Sequence, residues 1–379
     1  MDKKDDIKPG KEKLSRREFL RDASLGMAGV SIIASHMSCA GLRLCGNRKH
    51  AEEKESRMVY RKLGRAGLMV SEIGLGGHCD GPQWQEKLSK EQWQRDAVFK
   101  ECLRWGINYF DTNAENERKL LGVTLKGMPE IREQIFIVTD INDRKETGQD
   151  TYDFMIQKID EQLTNLQLPF VDILRFTTVI KRTSPERLEA AIKAFKQIKK
   201  AGKAKFLAVA QHDPELLLEW ISKYDEIDII YMPYNYFASK AEEALFPAAK
   251  KKDIGVVVIK PFNKGTIFDP KLLETMKFGS GSRSIIERAE KEKKERTPED
   301  LTRGTNLTLA QASLRYILSN ENVSAVIPGM ENVDEVRENV KVASAKFGRL
   351  ERNMLERFAA HWQKALPENY QWLNEWRHA

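Results

Sequence analysis

The chain has 379 residues, of which 41% are apolar and 31% charged, and its formal net charge is +7. This composition is typical of a globular protein with a substantial core and excludes a disordered or collagen-like chain, while the length fits one large barrel or two average domains. Basic runs such as residues 291–296 lie among many acidic residues and carry no RNA- or DNA-binding motif. We therefore expect solvated helix faces there and no nucleic-acid partner.

The amino-terminal segment is typical of a removable export signal. Arg16 and Arg17 precede a weakly apolar stretch, residues 23–34, which is shorter than the roughly 20 residues that a membrane span requires. The paired arginines predict the twin-arginine export machinery as a partner, a periplasmic location and no stable membrane span.

Small residues mark the end of this signal. They predict cleavage after Ala40, so that residues 1–40 are a twin-arginine signal peptide, with lipidation at Cys39 and an uncleaved surface amphipathic helix as the alternatives. Residues 41–56 are interpreted as a polar tether, and residues 57–379 as one folded domain.

A probable hairpin opens that domain. Residues 60–63 and 68–70 flank the glycine-containing segment 64–67, which predicts two short strands and a tight turn. We expect this hairpin to plug the lower mouth of the barrel described next.

From residue 58 onward, short apolar runs alternate with helical patterns, which is typical of βαβ units and a parallel sheet. Eight runs are candidate strands, as many as a (β/α)8 TIM barrel requires. They are residues 72–76, 107–111, 135–139, 171–176, 205–210, 228–231, 255–259 and 324–327.

The helices between these strands carry recognisable start and stop residues. Ser89 with Gln92 forms a capping box, and Gly106 ends that helix. Ser184 followed by a proline begins another helix, which stops at Gly202.

The carboxyl-terminal third contains two further segments of interest. The charged stretch 279–306 is either a lid over the catalytic face or a solvated excursion without a role. Trp362, Trp372 and Trp376 lie in a helical segment that we expect to pack on the outside of the barrel.

Several motifs in order along the chain resemble the aldo-keto reductase family from about residue 60 to residue 342. They are YRKLGRAGLMVS at 60–71, GINYFDT at 106–112, GKAKF at 202–206, PYN at 233–235, IKPFNKG at 259–265, TLAQASLRY at 308–316, and VIPG at 326–329 with Glu338 and Asn339. The resemblance implies a (β/α)8 barrel that binds NAD(P) across the carboxyl-terminal ends of its strands.

The same resemblance implies which residues hold the cofactor. The phosphates lie at a segment with two lysines and a glycine, the adenine at the last motif, and the nicotinamide near the fifth and sixth strands. The matching residues are Lys260, Pro261, Phe262, Lys264, Gly265, Gly329, Glu338, Asn339, Gln211 and Tyr231.

The choice between NAD and NADP stays open from the sequence. Family members that prefer NADP place basic residues in the last segment, where this chain has Gly329 and Glu335. Arg337 or Lys341 would have to offset the repulsion between Glu335 and a phosphate.

The usual Asp-Tyr-Lys-His tetrad of the family is altered. Asp111 matches the aspartate, but residues 112–117 contain no tyrosine, Asp140 stands at the lysine position and Thr177 at the histidine position. Two aspartates about 4 Å apart repel by roughly 4 kcal/mol at an effective dielectric near 20.

Strand alternation turns Arg175 toward the barrel interior, beside these carboxylates. We therefore hypothesise an Asp111/Arg175/Asp140 cluster, with Arg175 on a helix face or in solvent as the alternative. His78 and His212 follow strand ends and are candidates for a relocated proton-transfer group, although such histidines are often structural or merely exposed.

These features predict an exported NAD(P)-dependent oxidoreductase of aldo-keto reductase type, acting on a small carbonyl or sugar-like substrate by a non-standard proton transfer. An inactive barrel that serves as a binding protein or sensor explains the altered tetrad more simply. A third alternative is acid/base or metal-assisted hydrolysis by Asp111, Asp140 and Glu115, but Arg175 argues against a cation there and no metal is expected.

Overall fold

The computed structural model describes residues 58–77, 92–142, 148–178, 184–262, 307–343 and 348–356 without 354. Several features singled out in the sequence lie outside these residues. They are the signal with Cys39, the tether, His78, Ser89, Lys264, Gly265, the segment 279–306, and Trp362, Trp372 and Trp376.

An antiparallel hairpin opens the described chain, as the sequence predicts. Strand β1 (Tyr60–Lys62) pairs with β2 (Met69–Ser71) around a short 3-10 turn, Gly64–Ala66. Gly64 has a positive φ of 47°, and a side chain there would lie 2.2 Å from the backbone nitrogen of Gly255. A glycine is needed at position 64 because the hairpin packs directly against another backbone.

Seven parallel strands form the central sheet of the described residues, in sequential order. They are β3 (Tyr109–Thr112), β4 (Phe136–Asn142), β5 (Val171–Thr177), β6 (Ala204–Ala210), β7 (Ile229–Pro233), β8 (Gly255–Ile259) and β9 (Ala325–Val326). Each strand pairs in parallel with the next along the chain.

The first of the eight predicted strands, residues 72–76, bonds to both edges of this sheet through isolated bridges instead of forming a regular ladder. Leu75 pairs with Phe110 of β3, and Ile73 pairs with Val326 of β9. A side chain on Gly74 would lie 2.9 Å from the carbonyl oxygen of Tyr109, so the chain passes unusually close to its neighbour. The arrangement is α/β and TIM-barrel-like.

Helices cover the outside of the sheet. They are α1 (Gln92–Arg104), α2 (Glu115–Lys126), α3 (Gly148–Leu166), α4 (Pro185–Lys200), α5 (Pro214–Lys223), α6 (Leu245–Lys251), α7 (Leu309–Leu318) and α8 (Val333–Val340). The predicted terminators are confirmed, because Gly106 and Gly202 have φ angles of 80° and 73° just beyond α1 and α4.

The core has two parts that follow the period of two along the strands. Outward residues such as Phe110 and Ile137 pack under the helices. Inward residues, among them Tyr109, Val138 and Ile173, pack inside the barrel together with Leu63 of the hairpin. The side chains at the carboxyl-terminal end of this inner face therefore share one site.

Candidate active site

Four polar residues occupy inward positions near the carboxyl-terminal ends of three adjacent strands. Asp111 follows inward Tyr109 on β3, Asp140 follows inward Val138 on β4, and Arg175 and Thr177 follow an inward isoleucine on β5. Asp140 and Arg175 are direct partners in the β4–β5 register. The strand geometry alone thus brings these side chains together.

Arg175 lies between the two carboxylates, as hypothesised, and is neither on a helix face nor in solvent. Its Nη1 donates to Oδ2 of Asp111, and its Nε donates to Oδ1 of Asp140 at 3.0 Å. The Thr177 hydroxyl also donates to Oδ1 of Asp140. Asp111 and Asp140 are each 2% exposed and Arg175 is 5% exposed, so the cluster is buried.

Burial and charge change the acidity of Asp111. Its pKa rises from 3.8 to about 6, first because burial disfavours the carboxylate and then because Asp140 and Glu117 are close, while Arg175 opposes the rise. For Arg175, burial favours the neutral form, but Asp111 and Asp140 outweigh it and raise the pKa. Arg175 is therefore always charged, whereas Asp111 changes its charge near neutral pH.

Two buried ionisable residues that sequence reasoning missed complete the cluster. The helix after β3, α2, already begins at Glu115. Oε2 of Glu117 accepts from the backbone nitrogens of Asn113 at 2.8 Å and Ala114 at 3.0 Å, and Arg118 donates to the Asn113 carbonyl oxygen at 2.8 Å. A glutamate in the first turn of a helix is the signal that could have revealed this arrangement.

Arg118 is linked electrostatically to the same site. Burial lowers its pKa, and the Asp140 and Glu117 carboxylates act in the opposite direction. Glu115, by contrast, pairs with Lys119 and is half exposed. It therefore lies outside the buried cluster.

A pair of tyrosines lies beneath Arg175. The hydroxyl groups of Tyr109 and Tyr231 share a hydrogen bond, and the Arg175 guanidinium carbon lies 4.8 Å from the centre of the Tyr231 ring. Burial raises the pKa of both phenols, so both keep their protons. Tyr231 supports Arg175 from below, and its expected contact with a nicotinamide stays a prediction.

The ends of β6 and β8 bring three further predicted site residues together. Nζ of Lys260 lies 2.8 Å from Nε2 of His212. Because an ammonium group only donates, Nε2 accepts and the His212 proton is on Nδ1 when Lys260 is charged. Gln211 donates to the Thr178 carbonyl oxygen at 2.8 Å, and its own oxygen accepts from the His212 nitrogen at 2.6 Å.

The backbone of Lys260 adopts a conformation that is uncommon for a residue other than glycine. Its φ is 55°, in the left-handed region, and the Asn235 side chain donates to its carbonyl oxygen at 3.1 Å. This hydrogen bond holds the chain in a tight bend as it leaves β8. Phe262, just beyond the bend, packs against the outer core.

The segment predicted to hold the adenine surrounds the start of α8. Gly329 is bridged to Gly76, and the carbonyl oxygen of Glu338 accepts from the Gln311 side chain at 3.1 Å. Asn339 is buried. These contacts fix the backbone of the segment next to the strand ends.

The charges of this segment are largely acidic. Arg337 donates to Oε1 of Glu101 on α1 at 2.8 Å, so its guanidinium is engaged in an ion pair. The Glu335 carboxylate accepts from the Glu331 backbone nitrogen at 2.7 Å and from the Asn332 side chain at 2.8 Å. Glu335 is thereby held at the first turn of α8.

In the described part of the chain, His, Cys, Asp and Glu side chains do not form a group of three or more that could bind a metal ion. Within the same residues, none of the helices is both long enough and apolar enough to cross a membrane.

Comparisons with known proteins agree with this architecture. The uncharacterized oxidoreductase YqkF of Bacillus subtilis (strain 168) is 26% identical over 306 residues, covering 76% of this chain and 92% of YqkF. L-galactose dehydrogenase of Arabidopsis thaliana is 25% identical over 300 residues, covering 75% of this chain and 88% of that protein. The holo form of aldo-keto reductase AKR11C1 from Bacillus halodurans shares the fold, with a TM-score of 0.59 and 22% identity over 85% of this chain and 100% of that one. Residues 72–363 match the model of the aldo/keto reductase family, and the chain belongs to that family.

Proposed function

We propose that this chain is an NAD(P)H-dependent reductase of small carbonyl or sugar-like substrates, with a buried acid-guanidinium cluster in place of the family's tyrosine and lysine. The observation that carries the proposal is the Asp111/Arg175/Asp140 cluster at the carboxyl-terminal ends of the strands. Active sites of barrels with parallel strands lie at this face. The hairpin packs against Gly255 at the start of β8, at the opposite end of the strands, so we expect the substrate to enter from the carboxyl-terminal side.

The residues present fit a dinucleotide at this face. Lys260 offers an ammonium group for a phosphate, and with Pro261, Phe262, Lys264 and Gly265 it would hold the diphosphate. Gly329, Glu338 and Asn339 would hold the adenosine, and Gln211 the nicotinamide amide. A bound dihydronicotinamide supplies the hydride, while the chain binds the substrate and supplies the proton.

Unpartnered polar atoms at the cluster support a hydroxyl-bearing substrate. Oδ1 of Asp111 and Oδ2 of Asp140 are buried without a hydrogen-bond partner among the described residues. Carboxylate oxygens accept from hydroxyl groups, and a buried acceptor without a donor is costly. A carbonyl compound with a neighbouring hydroxyl would give Oδ2 of Asp140 its donor and bring the carbonyl oxygen to Oδ1 of Asp111. The similarity to an L-galactose dehydrogenase agrees with this class.

The charges around α8 favour NADH over NADPH. Glu335 is fixed at the helix start, and Arg337, which would have to offset it, is paired with Glu101. Titrating protein fluorescence with each cofactor tests this preference. Glu335→Lys should tighten NADPH binding about threefold to tenfold and leave NADH binding unchanged, because it replaces a repulsion by an attraction at the surface.

A matched variant controls for net charge. Glu321→Lys makes the same change at a residue whose side chain is 89% exposed and lies away from this segment. Equal gains in NADPH affinity for the two variants would contradict a specific role of Glu335.

The same proposal includes export by the twin-arginine route, supported by the sequence of residues 1–40 alone. Replacing Arg16 and Arg17 by lysines should retain the protein inside the producing cell, as cell fractionation would show. A Cys39→Ala variant separates the two forms of export, because only a lipid-anchored protein would change from the membrane to the soluble fraction.

The activity itself is tested with purified protein. We expect NADH to bind, and its absorbance to fall in proportion to added aldehydes, ketones or keto sugars. Lys260→Met should weaken cofactor binding, because the phosphate loses a cation. Binding without turnover across the panel would support the inactive binding protein or sensor instead, and the absence of any cofactor binding would contradict the reductase.

A further inference from the structure

The buried cluster has an uneven balance of charges. Within the described residues, Asp111, Asp140 and Glu117 provide three carboxyl groups, while Arg118 and Arg175 provide two guanidinium groups, and all five residues are buried. If every one of these groups is ionised, the five residues together carry a net charge of −1. Excess negative charge in a buried site is unfavourable, so one carboxyl group tends to keep a proton.

The hydrogen bonds of the three carboxyl groups decide which of them keeps the proton. Oδ1 of Asp140 accepts from Arg175 and from the Thr177 hydroxyl. Glu117 accepts from two backbone nitrogens at the start of α2. Among the described residues, Asp111 accepts from Arg175 alone, and only through Oδ2. Because hydrogen bonds from donors stabilise a carboxylate, Asp111 is the least stable anion of the three.

In the part of the chain that the structure describes, the other groups packed around Asp111 do not compete for this proton. Tyr109 on its own strand and Tyr231 on β7 are neutral phenols whose hydroxyls bind each other. Arg118 on α2 and Arg175 on β5 are cations, and Nε2 of His212 faces Lys260. The rise in the pKa of Asp111 to about 6 agrees with a proton that is held there and released near neutral pH.

We propose that Asp111 is the proton donor of the reaction, delivering its proton from Oδ1 to the carbonyl oxygen of the substrate. This inference rests on the proposed reductase function. A bound dihydronicotinamide would supply a hydride to the carbonyl carbon and would be oxidised to the nicotinamide cation, so that the carbonyl group would be reduced to an alcohol. As the O–H bond of the alcohol forms, the Oδ1–H bond of Asp111 breaks, and the bonding electrons stay on Asp111.

Arg175 prepares the site for the charge that this step creates. Its Nη1 holds Oδ2 of Asp111, so that Oδ1 stays available, and it lies against the new carboxylate as soon as the proton leaves. Arg175 is itself supported by the Tyr231 ring beneath it. Water then returns a proton to Asp111 before the next turnover.

The first test compares wild type with Asp111→Asn, which has nearly the same shape but no acidic proton. In wild type, kcat/KM for carbonyl reduction should be constant below about pH 6 and fall about tenfold per pH unit above it, because only the protonated acid is active. Asp111→Asn should lose about a hundredfold or more in kcat/KM with unchanged NADH affinity. An unchanged pH profile and turnover in a variant that binds NADH would overturn the proposal.

A second variant separates proton donation from a structural role. Asp140→Asn removes a neighbouring negative charge that raises the pKa of Asp111, so the pH profile should move to lower pH. A purely structural Asp111 would leave the position of the profile unchanged, and that result also counts against the proposal.

A third measurement needs neither cofactor nor substrate. The infrared carbonyl band of a protonated carboxylic acid should disappear from wild type as the pH rises through about 6. Asp140→Asn should shift this loss to lower pH. A band that is absent near pH 5 would overturn the proton on Asp111, even if Asp111→Asn fails to fold. If NADH does not bind but the band titrates as expected, the reductase function fails while the protonated carboxyl group stands.

Discussion

Removing Arg175 should destabilise the folded protein in a pH-dependent way. Arg175→Met keeps the length of the side chain but leaves Asp111 and Asp140 buried without their shared cation. Breaking a buried ion pair from one side costs about 3–5 kcal/mol. The cost is limited because one of the two carboxyl groups can take up a proton.

The free-energy cost of this proton uptake depends on pH and follows from the pKa of the carboxyl group. An aspartate with the ordinary pKa of 3.8 takes up a proton at about pH 7.5 at a cost of about 5 kcal/mol, since each pH unit corresponds to about 1.4 kcal/mol. At about pH 4.5, below its raised pKa, Asp111 already carries the proton in wild type, so the variant bears no such additional cost. We therefore expect Arg175→Met to lower the free energy of unfolding by about 3–5 kcal/mol at the higher pH and by about 1 kcal/mol at the lower.

Urea unfolding of both proteins at the two pH values measures this difference. The triple variant with Asp111→Asn, Asp140→Asn and Arg175→Met provides the control, because it removes all three charges together. It should be more stable than Arg175→Met alone at the higher pH. Equal destabilisation by Arg175→Met at both pH values would refute the view that two uncompensated carboxylates cause the loss.

Other predictions concern the parts of the fold that support the site. Tyr109→Phe and Tyr231→Phe should each lower the free energy of unfolding by about 1–3 kcal/mol, because each leaves one buried hydroxyl without a partner. In a double-mutant cycle, the double variant should lose less than the sum of the two single losses. Gly64→Ala should lower the free energy of unfolding by about 2–5 kcal/mol, because a left-handed φ is combined with a clash against the Gly255 backbone. Gly67→Ala also has a left-handed φ but no atom close to the new Cβ, so it should lower the same free energy by about 1–2 kcal/mol. Asp213→Ala should lower the melting temperature through a loss of about 1 kcal/mol, because the Asp213 side chain accepts from two backbone nitrogens at the start of α5.

Much of the candidate site follows from the chain itself, because it depends on local rules. Parallel strands that follow each other along the chain become neighbours in the sheet, and every second side chain points inward. Asp111, Asp140 and Arg175 occupy inward positions near the ends of consecutive strands, so their meeting could be predicted without a structure. The hairpin turn and the glycines that end α1 and α4 were predictable for the same reason.

Contacts between distant parts of the chain could not be predicted in this way. Tyr109 and Tyr231 are 122 residues apart, and their hydroxyls meet only because β3 and β7 face each other within the barrel. The pairing of Lys260 with His212 depends on how two loops leave non-adjacent strands. Neither contact leaves a pattern in the local sequence.

The sequence by itself therefore determined the class of fold, the order of the strands and the residues available at the strand ends, because each depends on the short-range periodicity of the backbone. Only the tertiary structure decided that α2 begins early enough to add Glu117 and Arg118 to the cluster, and that Arg337 is held by Glu101. The acidity of a buried group depends on every charge around it and on the absence of water, and both are properties of the folded interior.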